Sequence, residues 1–149
     1  MKLSTKGRYG LRAMVDLALN ASGDHVALYN IAERQGISEN YLEQVFSTLR
    51  KAGLVKSVKG AQGGYTLAEK PENLKVGQIL RVLEGDLSVV DETFDDSHKV
   101  GKTIQYCLKV NVWDKINDCI NNLVDSITLE DIANEYKKSM GETPNMYYI

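Results

Sequence analysis

Cysteine is scarce in this chain: Cys107 and Cys119 are the only two in 149 residues. Two thiols cannot build the framework of a disulfide-stapled domain, and their scarcity fits a reducing cytoplasm, where the Asn20-Ala21-Ser22 sequon carries no meaning. No stretch approaches the ~20 apolar residues needed to cross a bilayer, and the N-terminus has no apolar signal region. The groupings of catalysis are missing too. There is no Ser-His-Asp set and no metal-ligand spacing, and the glycine-rich stretch Gly60–Gly64 leads into a strand rather than the helix a phosphate loop requires. Of the two histidines, His25 sits in a surface turn and His98 has no visible ligand partners. These absences argue against an enzyme and against a bound metal or other cofactor. There is no internal repeat and no low-complexity segment. The length suits one good core plus an appendage.

What the chain does have is a motif running from Tyr29 to Leu67. Ile31 and Ala32 mark the buried side of a short helix, and Gly36 supplies the backbone freedom of a tight turn into a second helix. Ser38 is a good N-cap for that helix. Leu42, Val45, Phe46 and Leu49 then fall at the i, i+3, i+4, i+7 spacing of one buried stripe. After Gly53, Leu54–Val58 and Tyr65–Leu67 form two short strands around the loop Lys59-Gly60-Ala61-Gln62-Gly63-Gly64. A helix-turn-helix followed by a basic hairpin is a winged helix, which places its second helix in a DNA major groove and its hairpin near the backbone or minor groove.

With the stripe turned inward, Asn40, Glu43, Gln44, Ser47 and Arg50 remain outside. Amides read adenine bidentately, and a carboxylate accepts from the cytosine amino group. Glu43 faces phosphates at an electrostatic cost, so it is expected to serve sequence choice more than affinity. Alone, these residues suit an ordinary solvated helix face equally well; the wing that follows decides for DNA. Charge agrees. Through Lys70 there are ten Lys and Arg against six acids, and beyond it eight against fourteen, so the net −2 hides a basic front and an acidic back. Lys2, Ser4, Thr5, Lys6 and Arg8 make a basic, hydroxyl-rich start able to clamp a phosphate. The expected DNA-contacting set is Lys2, Ser4, Lys6 and Arg8 at the start, Ser38, Asn40, Tyr41, Glu43, Gln44, Arg50 and Lys51 on the second helix, and Lys56, Lys59, Gln62 and Gly63 on the wing.

Around this motif, a first helix is expected from about Ser4 to Ala21, a turn at Pro71-Glu72-Asn73, and a helix from Val76 that Gly85 stops. Asp91, Glu92, Asp95 and Asp96 mark a mobile acidic connector. A long amphipathic helix over 99–126 carries Val100, Ile104, Leu108, Val112, Ile116, Ile120, Leu123 and Ile127. Thr128 and Asp131 then open a last helix to about Lys138, and Gly141 and Pro144 release a tail. The expected fold is mostly α with a small β-hairpin wing, a winged helix-turn-helix plus a long dimerisation helix. Its parts are a DNA-binding domain (1–85), an acidic connector (86–98), dimerisation helices (99–138) and a C-terminal tail (139–149). A protruding helix of this length cannot bury its stripe alone, so a homodimer on double-stranded DNA follows; the alternative is packing against the chain's own first and fourth helices.

Four segments carry a resemblance: Lys2–Gly10, Ser38–Gln44, Arg50–Val55 and Gly60–Tyr65. They resemble, in register over about the first 90 residues, the bacterial winged-helix regulator family that contains the iron–sulfur regulators IscR and NsrR and the CymR-type cysteine-metabolism repressors. The resemblance implies a dimeric, cytoplasmic transcriptional repressor. Iron–sulfur members of that family hold a cluster with three closely spaced cysteines ahead of the long helix, where this chain has Ser88, Asp91, Asp95, Ser97 and His98. Cys107 and Cys119 lie twelve residues apart on one helix, ~18 Å along its axis. That is too far for one cluster within one chain, and cysteine on an apolar stripe is commonly a small buried hydrophobe. A cluster bridging two subunits, or a thiol switch at Cys107, would make the chain a redox- or iron–sulfur-sensing regulator of the same family.

The end Met146-Tyr147-Tyr148-Ile149 is apolar where chain ends are usually polar, which points to capture by a partner. It resembles the ending of CymR-type repressors and the isoleucine-terminated tail with which serine acetyltransferase docks into cysteine synthase. That resemblance implies cysteine synthase (O-acetylserine sulfhydrylase) as a partner and cysteine or sulfur metabolism as the regulated process. The alternative is a tail packed on its own dimer or frayed.

Overall fold

The computed structural model describes residues 1–21, 24–90 and 103–145. Helix α1 spans Thr5–Asn20, α2 Leu28–Gln35 and α3 Glu39–Lys51. Strands β1 (Val55–Val58) and β2 (Gly64–Leu67) pair antiparallel, with Val55 opposite Leu67 and Val58 opposite Gly64. A 3-10 turn at Pro71–Asn73 leads into α4, Val76–Glu84. The main core gathers Ala13, Met14 and Leu17 of α1, Ile31 of α2, Leu42, Val45, Phe46 and Leu49 of α3, and Ile79 and Leu83 of α4. Each large side chain so buried contributes ~1.5–3 kcal/mol. The four residues expected on the inner stripe of the second helix are all there, between 0% and 1% exposed.

Beyond α4 the sequence expectations need amending. Leu87 is buried beside Val76 and Leu80, and the Val89 amide donates to Asn117 Oδ1 at 2.8 Å. The first residues of the stretch read as a connector are thus pinned to the body. Its acidic residues Asp91, Glu92, Asp95 and Asp96, with Ser97 and His98, lie outside the described residues, as does Val100.

The long helix is described from its cap at Thr103, whose hydroxyl accepts from the Tyr106 amide at 3.1 Å. It runs as α5 (Ile104–Leu108), a π-helical turn (Lys109–Trp113) and α6 (Asp114–Ser126). The π turn changes the angular step between residues and so rotates the face of α5 relative to α6. The apolar stripe divides. Ile120, Val124 and Ile127 pack on the chain's own Val76, Leu80 and Leu87, so Ile120 faces α4 rather than an open seam. Ile104 (82% exposed) and Leu123 (61%) stay open, as do Leu108 and Ile116. Intramolecular packing claims one edge of the band and leaves the other edge bare.

The corner after α6 docks firmly. The Val76 amide donates to the Ile127 carbonyl at 2.8 Å and the Leu129 amide to the Leu74 carbonyl at 2.9 Å, while Leu129 enters the main core. Thr128 and Asp131 form a reciprocal capping box, each side-chain oxygen accepting the other's amide at 3.0 Å. Helix α7 then spans Leu129–Asn145, past Lys138 and through Gly141. A terminating glycine would adopt a left-handed conformation, and Gly141 is not among the glycines with positive φ. The residues 146–149 lie outside the described residues.

Candidate nucleic-acid interface

The turn between α2 and α3 is built as the sequence requires. Gly36 takes φ +64° and ends α2, and the next residue, Ile37, drops into the core with its amide on the Ala32 carbonyl at 3.0 Å. Ser38 Oγ accepts from the Tyr41 amide at 3.4 Å and opens α3. Glu39 in the first turn and Arg50 and Lys51 in the last complement the helix dipole.

On the outer face of α3, Asn40, Glu43, Gln44, Ser47, Thr48 and Lys51 line one shallow hollow of about 640 Å³. Asn40, Glu43, Gln44, Arg50 and Lys51 are exposed and Ser47 is half-buried. Between α3 and the hairpin runs a second cleft of about 580 Å³, with Glu39, Glu43, Ser47 and Arg50 on one wall and Lys59, Gly60 and Gly63 on the other. Donors, acceptors and cations thus sit side by side on a convex helix and its neighbouring hairpin, which suits base edges and flanking phosphates.

The wing is held close to the body. Val26 exchanges both backbone hydrogen bonds with Tyr65, each at 2.9 Å, adding a one-residue bridge to the edge of the two-stranded hairpin. A Cβ at Gly64 would stand 2.3 Å from the Val26 carbonyl oxygen, and one at Gly63 would stand 2.2 Å from that of Val58. Gly63 is therefore required by the hairpin itself. Lys56, Lys59 and Gln62 are exposed on its outer side.

Other expected residues are placed differently. Ser4 is exposed, but its polar groups are already engaged. Its hydroxyl donates to Glu84 Oε1 at 2.5 Å, its amide donates to the same oxygen at 3.0 Å, and the Gly7 amide does so at 2.9 Å. The carboxylate of α4 thus occupies the anion-attracting start of α1 where a phosphate was expected. A contact across 80 residues of chain leaves no local sequence signal. Tyr41 is half-buried, its ring edge-on to Tyr9 with centroids 6.2 Å apart. Arg8 and Arg12 lie over the Tyr9 ring, at 5.9 and 5.2 Å from its centroid. Arg8 lines a groove between α1, α2 and α7 and joins neither the α3 hollow nor the cleft beside the hairpin. Lys2 is exposed ahead of α1, and Lys6 is half-buried in its first turn. Arg34, counted in the basic front, is held by the buried carboxylate of Asp16 at 2.8 Å. That hydrogen bond raises its pKa against the opposing effect of burial. Outside the expected set, Thr48 lines the α3 hollow, and Tyr29, 58% exposed, borders the cleft between α3 and the wing. The Leu28, Ile31, Ala32 periodicity of α2, followed through, would have turned Tyr29 outward.

The cysteines differ from expectation as well. Cys107 and Cys119 are exposed rather than buried on the stripe, and Asn111 Nδ2 lies 3.5 Å from Cys107 Sγ.

Residues 3–135 match the family described as Rrf2, iron-dependent transcriptional regulator. The chain is 45% identical over 133 residues to the HTH-type transcriptional regulator CymR of Bacillus subtilis, covering 89% of this chain and 90% of that protein. It is 44% identical over 136 residues to the HTH-type transcriptional regulator IscR of Aliivibrio salmonicida, covering 89% of this chain and 77% of the relative. Among solved structures, that of CymR (YrzC), the global cysteine regulator of B. subtilis, superposes with a TM-score of 0.76 at 44% identity, covering 91% of this chain and 98% of the other. The iron in the family description does not fit the residues described here. No three His, Cys, Asp or Glu side chains converge among them, and the two exposed thiols stand on successive parts of one helix.

Proposed function

This chain belongs to the Rrf2 family of transcriptional regulators, and from that premise we propose that it is a dimeric repressor of cysteine- and sulfur-metabolism genes, governed through a complex with a cysteine-synthase-type enzyme. The observation that carries the DNA-binding part is the exposed set Asn40, Glu43 and Gln44 on α3, with the wing cation Lys59 across the neighbouring cleft and Lys56 exposed on the same hairpin. In a protein that works on DNA inside the cell, α3 reads base edges in the major groove and the wing lysines hold the backbone.

Dimerisation is supported by the bare edge of the long helix. Ile104, Leu108, Ile116 and Leu123 form an apolar border that the chain's own core does not cover, and a second copy of the same helix is the self-complementary way to bury it. Two protomers then present two α3 helices to a near-palindromic site.

The metabolic assignment is supported by the likeness to CymR, whose solved structure is described as that of a global cysteine regulator. The contact with the enzyme is assigned to Met146–Ile149, an isoleucine preceded by two tyrosines, as a peptide able to enter a pocket built for a small amino-acid carboxylate. Substrate would compete for that pocket and release the regulator. The test is a pull-down from native extract with the full chain and with a chain ending at Asn145. A peptide of the last ten residues is titrated into purified cysteine synthase in parallel, with a free or an amidated carboxylate. Capture by the full chain alone and preference for the free carboxylate support the assignment. Equal capture by both chains, or equal affinity of the two peptides, overturns it.

A further inference from the structure

The loop ahead of α2 reaches the wing through a side chain as well as through its backbone. His25 directs Nε2 at the backbone carbonyl of Gln62, at the tip of the hairpin, and the two are in hydrogen-bond contact. Its other ring nitrogen, Nδ1, lies 2.8 Å from Asp24 Oδ1. That same carboxylate oxygen accepts the His25 amide at 2.7 Å, which fixes its direction. A carbonyl only accepts, so the wing contact is made by an Nε2–H donor. A carboxylate oxygen likewise only accepts, so holding the ring from both sides takes a donor at each ring nitrogen. The imidazole is three-quarters covered, with 25% of its side chain exposed, although it belongs to a surface loop.

The placement matters because the backbone ladder stops short of the tip. The strands pair only as far as Val58 opposite Gly64, and Val26 pairs with Tyr65. Lys59, Gly60, Ala61 and Gln62 lie beyond both pairings, and Gly60 has φ +119°. Within the tip, the described backbone tie is the Gly63 amide on the Gly60 carbonyl, at 3.0 Å. A loop this rich in glycine loses much conformational freedom when it is ordered against DNA. A donor that holds the Gln62 carbonyl in the free protein removes part of that cost before binding.

We propose that His25 is a positioning residue for DNA binding: its Nε2–H anchors the Gln62 carbonyl and so presets the wing tip for the phosphate backbone. This deepens the DNA-binding reading above and rests on the wing touching DNA. His25 itself need not touch the nucleic acid.

Two substitutions of similar polarity separate this role from a general one. Glutamine carries an amide N–H2 at about the reach of Nε2, whereas asparagine carries it at about the reach of Nδ1. His25→Gln should therefore keep operator affinity near wild type. His25→Asn should weaken it by about 3- to 10-fold per wing, the range for one hydrogen bond, with little change in thermal unfolding. Lys59→Ala provides the control for the wing. If His25 acts through the tip, the loss from His25→Asn shrinks when Lys59 is already gone, which a double-mutant cycle measures. Equal weakening by asparagine and glutamine, additivity with Lys59→Ala, or affinity lost only in step with thermal stability would each overturn the role of His25. If Lys59→Ala and His25→Asn are both silent, the wing itself does not engage DNA. Silence of His25→Asn beside a loss from Lys59→Ala sinks this inference alone.

Discussion

Replacing Lys56 and Lys59 together by alanine isolates the electrostatic share of the wing. Both ammonium groups are exposed, and neither takes part in an ion pair among the described residues. Removing them therefore disturbs no internal bridge, and their loss should appear in DNA binding rather than in folding. Each phosphate contact releases counterions on binding, and losing one flattens the log–log salt dependence by ~0.9. In the proposed dimer, two lysines on each of two wings would make about four contacts, so the slope should fall by about 3.6. Between ~50 and ~200 mM salt, that difference amounts to about 150-fold: the wild type should lose about that much more affinity than the double variant over the same range. Fluorescence anisotropy across a salt series reads the slope directly, on the operator and on a scrambled duplex of equal length. The effect should be about the same on both duplexes, since phosphate contacts position a protein without informing it of sequence. Parallel salt slopes for variant and wild type would refute the reasoning and remove the wing lysines from the backbone.

Three further outcomes follow from the geometry. Glu43→Ala should keep or raise affinity for nonspecific DNA while relaxing discrimination at one base pair of each half-site by ~1–3 kcal/mol, and an unchanged preference at every position of a substituted operator series would exclude Glu43 from base reading. Leu123→Asp, on the bare edge of the long helix, should weaken the dimer in sedimentation while leaving the chain folded, whereas Ile120→Asp, which faces α4, should unfold the chain as well; an intact dimer with Leu123→Asp would place the interface elsewhere. The Asp125 carboxylate receives two hydrogen bonds from Arg81, at 2.7 and 2.9 Å, and that bonding, against a smaller effect of desolvation, lowers its pKa. A group depressed in the folded state stabilises above its unfolded value and loses that contribution as pH falls through the folded one. Wild type should thus exceed Asp125→Asn in urea midpoint at about pH 7, with the gap closing below about pH 4; a gap that stays constant on acidification would mean the bridge is not what titrates.

The parts legible in the sequence share one property: their cause is local. The Leu42, Val45, Phe46, Leu49 stripe, the left-handed Gly36 turn and the Thr128–Asp131 box each need only a few neighbouring residues, and each forms as read. The departures have causes far away in the chain. The Ser4 hydroxyl was available to a phosphate until Glu84, eighty residues later, came to lie against it. The apolar stripe from Ile104 to Ile127 has a helical period, but period alone does not say which neighbour will cover it. Helix α4 takes Ile120, Val124 and Ile127, and the π turn shifts the register of the residues upstream. Gly141 looked like a stop because glycine often closes helices, yet glycine inside a helix costs only ~1 kcal/mol. His25 looked like a lone surface histidine because its partner at Gln62 lies 37 residues ahead.

The same long-range contacts bear on how a dimer would set its spacing on DNA. Helix α4 is the shared wall. Ile79 and Leu83 lie on its face toward the main core with α3, and Val76 and Leu80 meet α6 on the other. Arg81 extends from α4 to Asp125 and to Asn121 Oδ1 at 2.7 Å, and the paired backbones at Leu74–Val76 and Ile127–Leu129 close the corner. A side chain at Gly10 would stand 2.3 Å from Leu83 Cδ1 and 3.2 Å from Val45 Cγ1, so α1, α3 and α4 meet without slack. Close-packed contacts of this kind have few intermediate arrangements; they hold or they shift together. With α3 fixed to α4, and α4 to α6, any register adopted between two long helices is transmitted to the distance between two α3 helices. On B-DNA that distance has to match about one helical turn, ~34 Å. A partner that altered the pairing of the long helices would therefore change operator affinity without touching a DNA-contacting residue, by moving both reading helices away from the groove repeat at once.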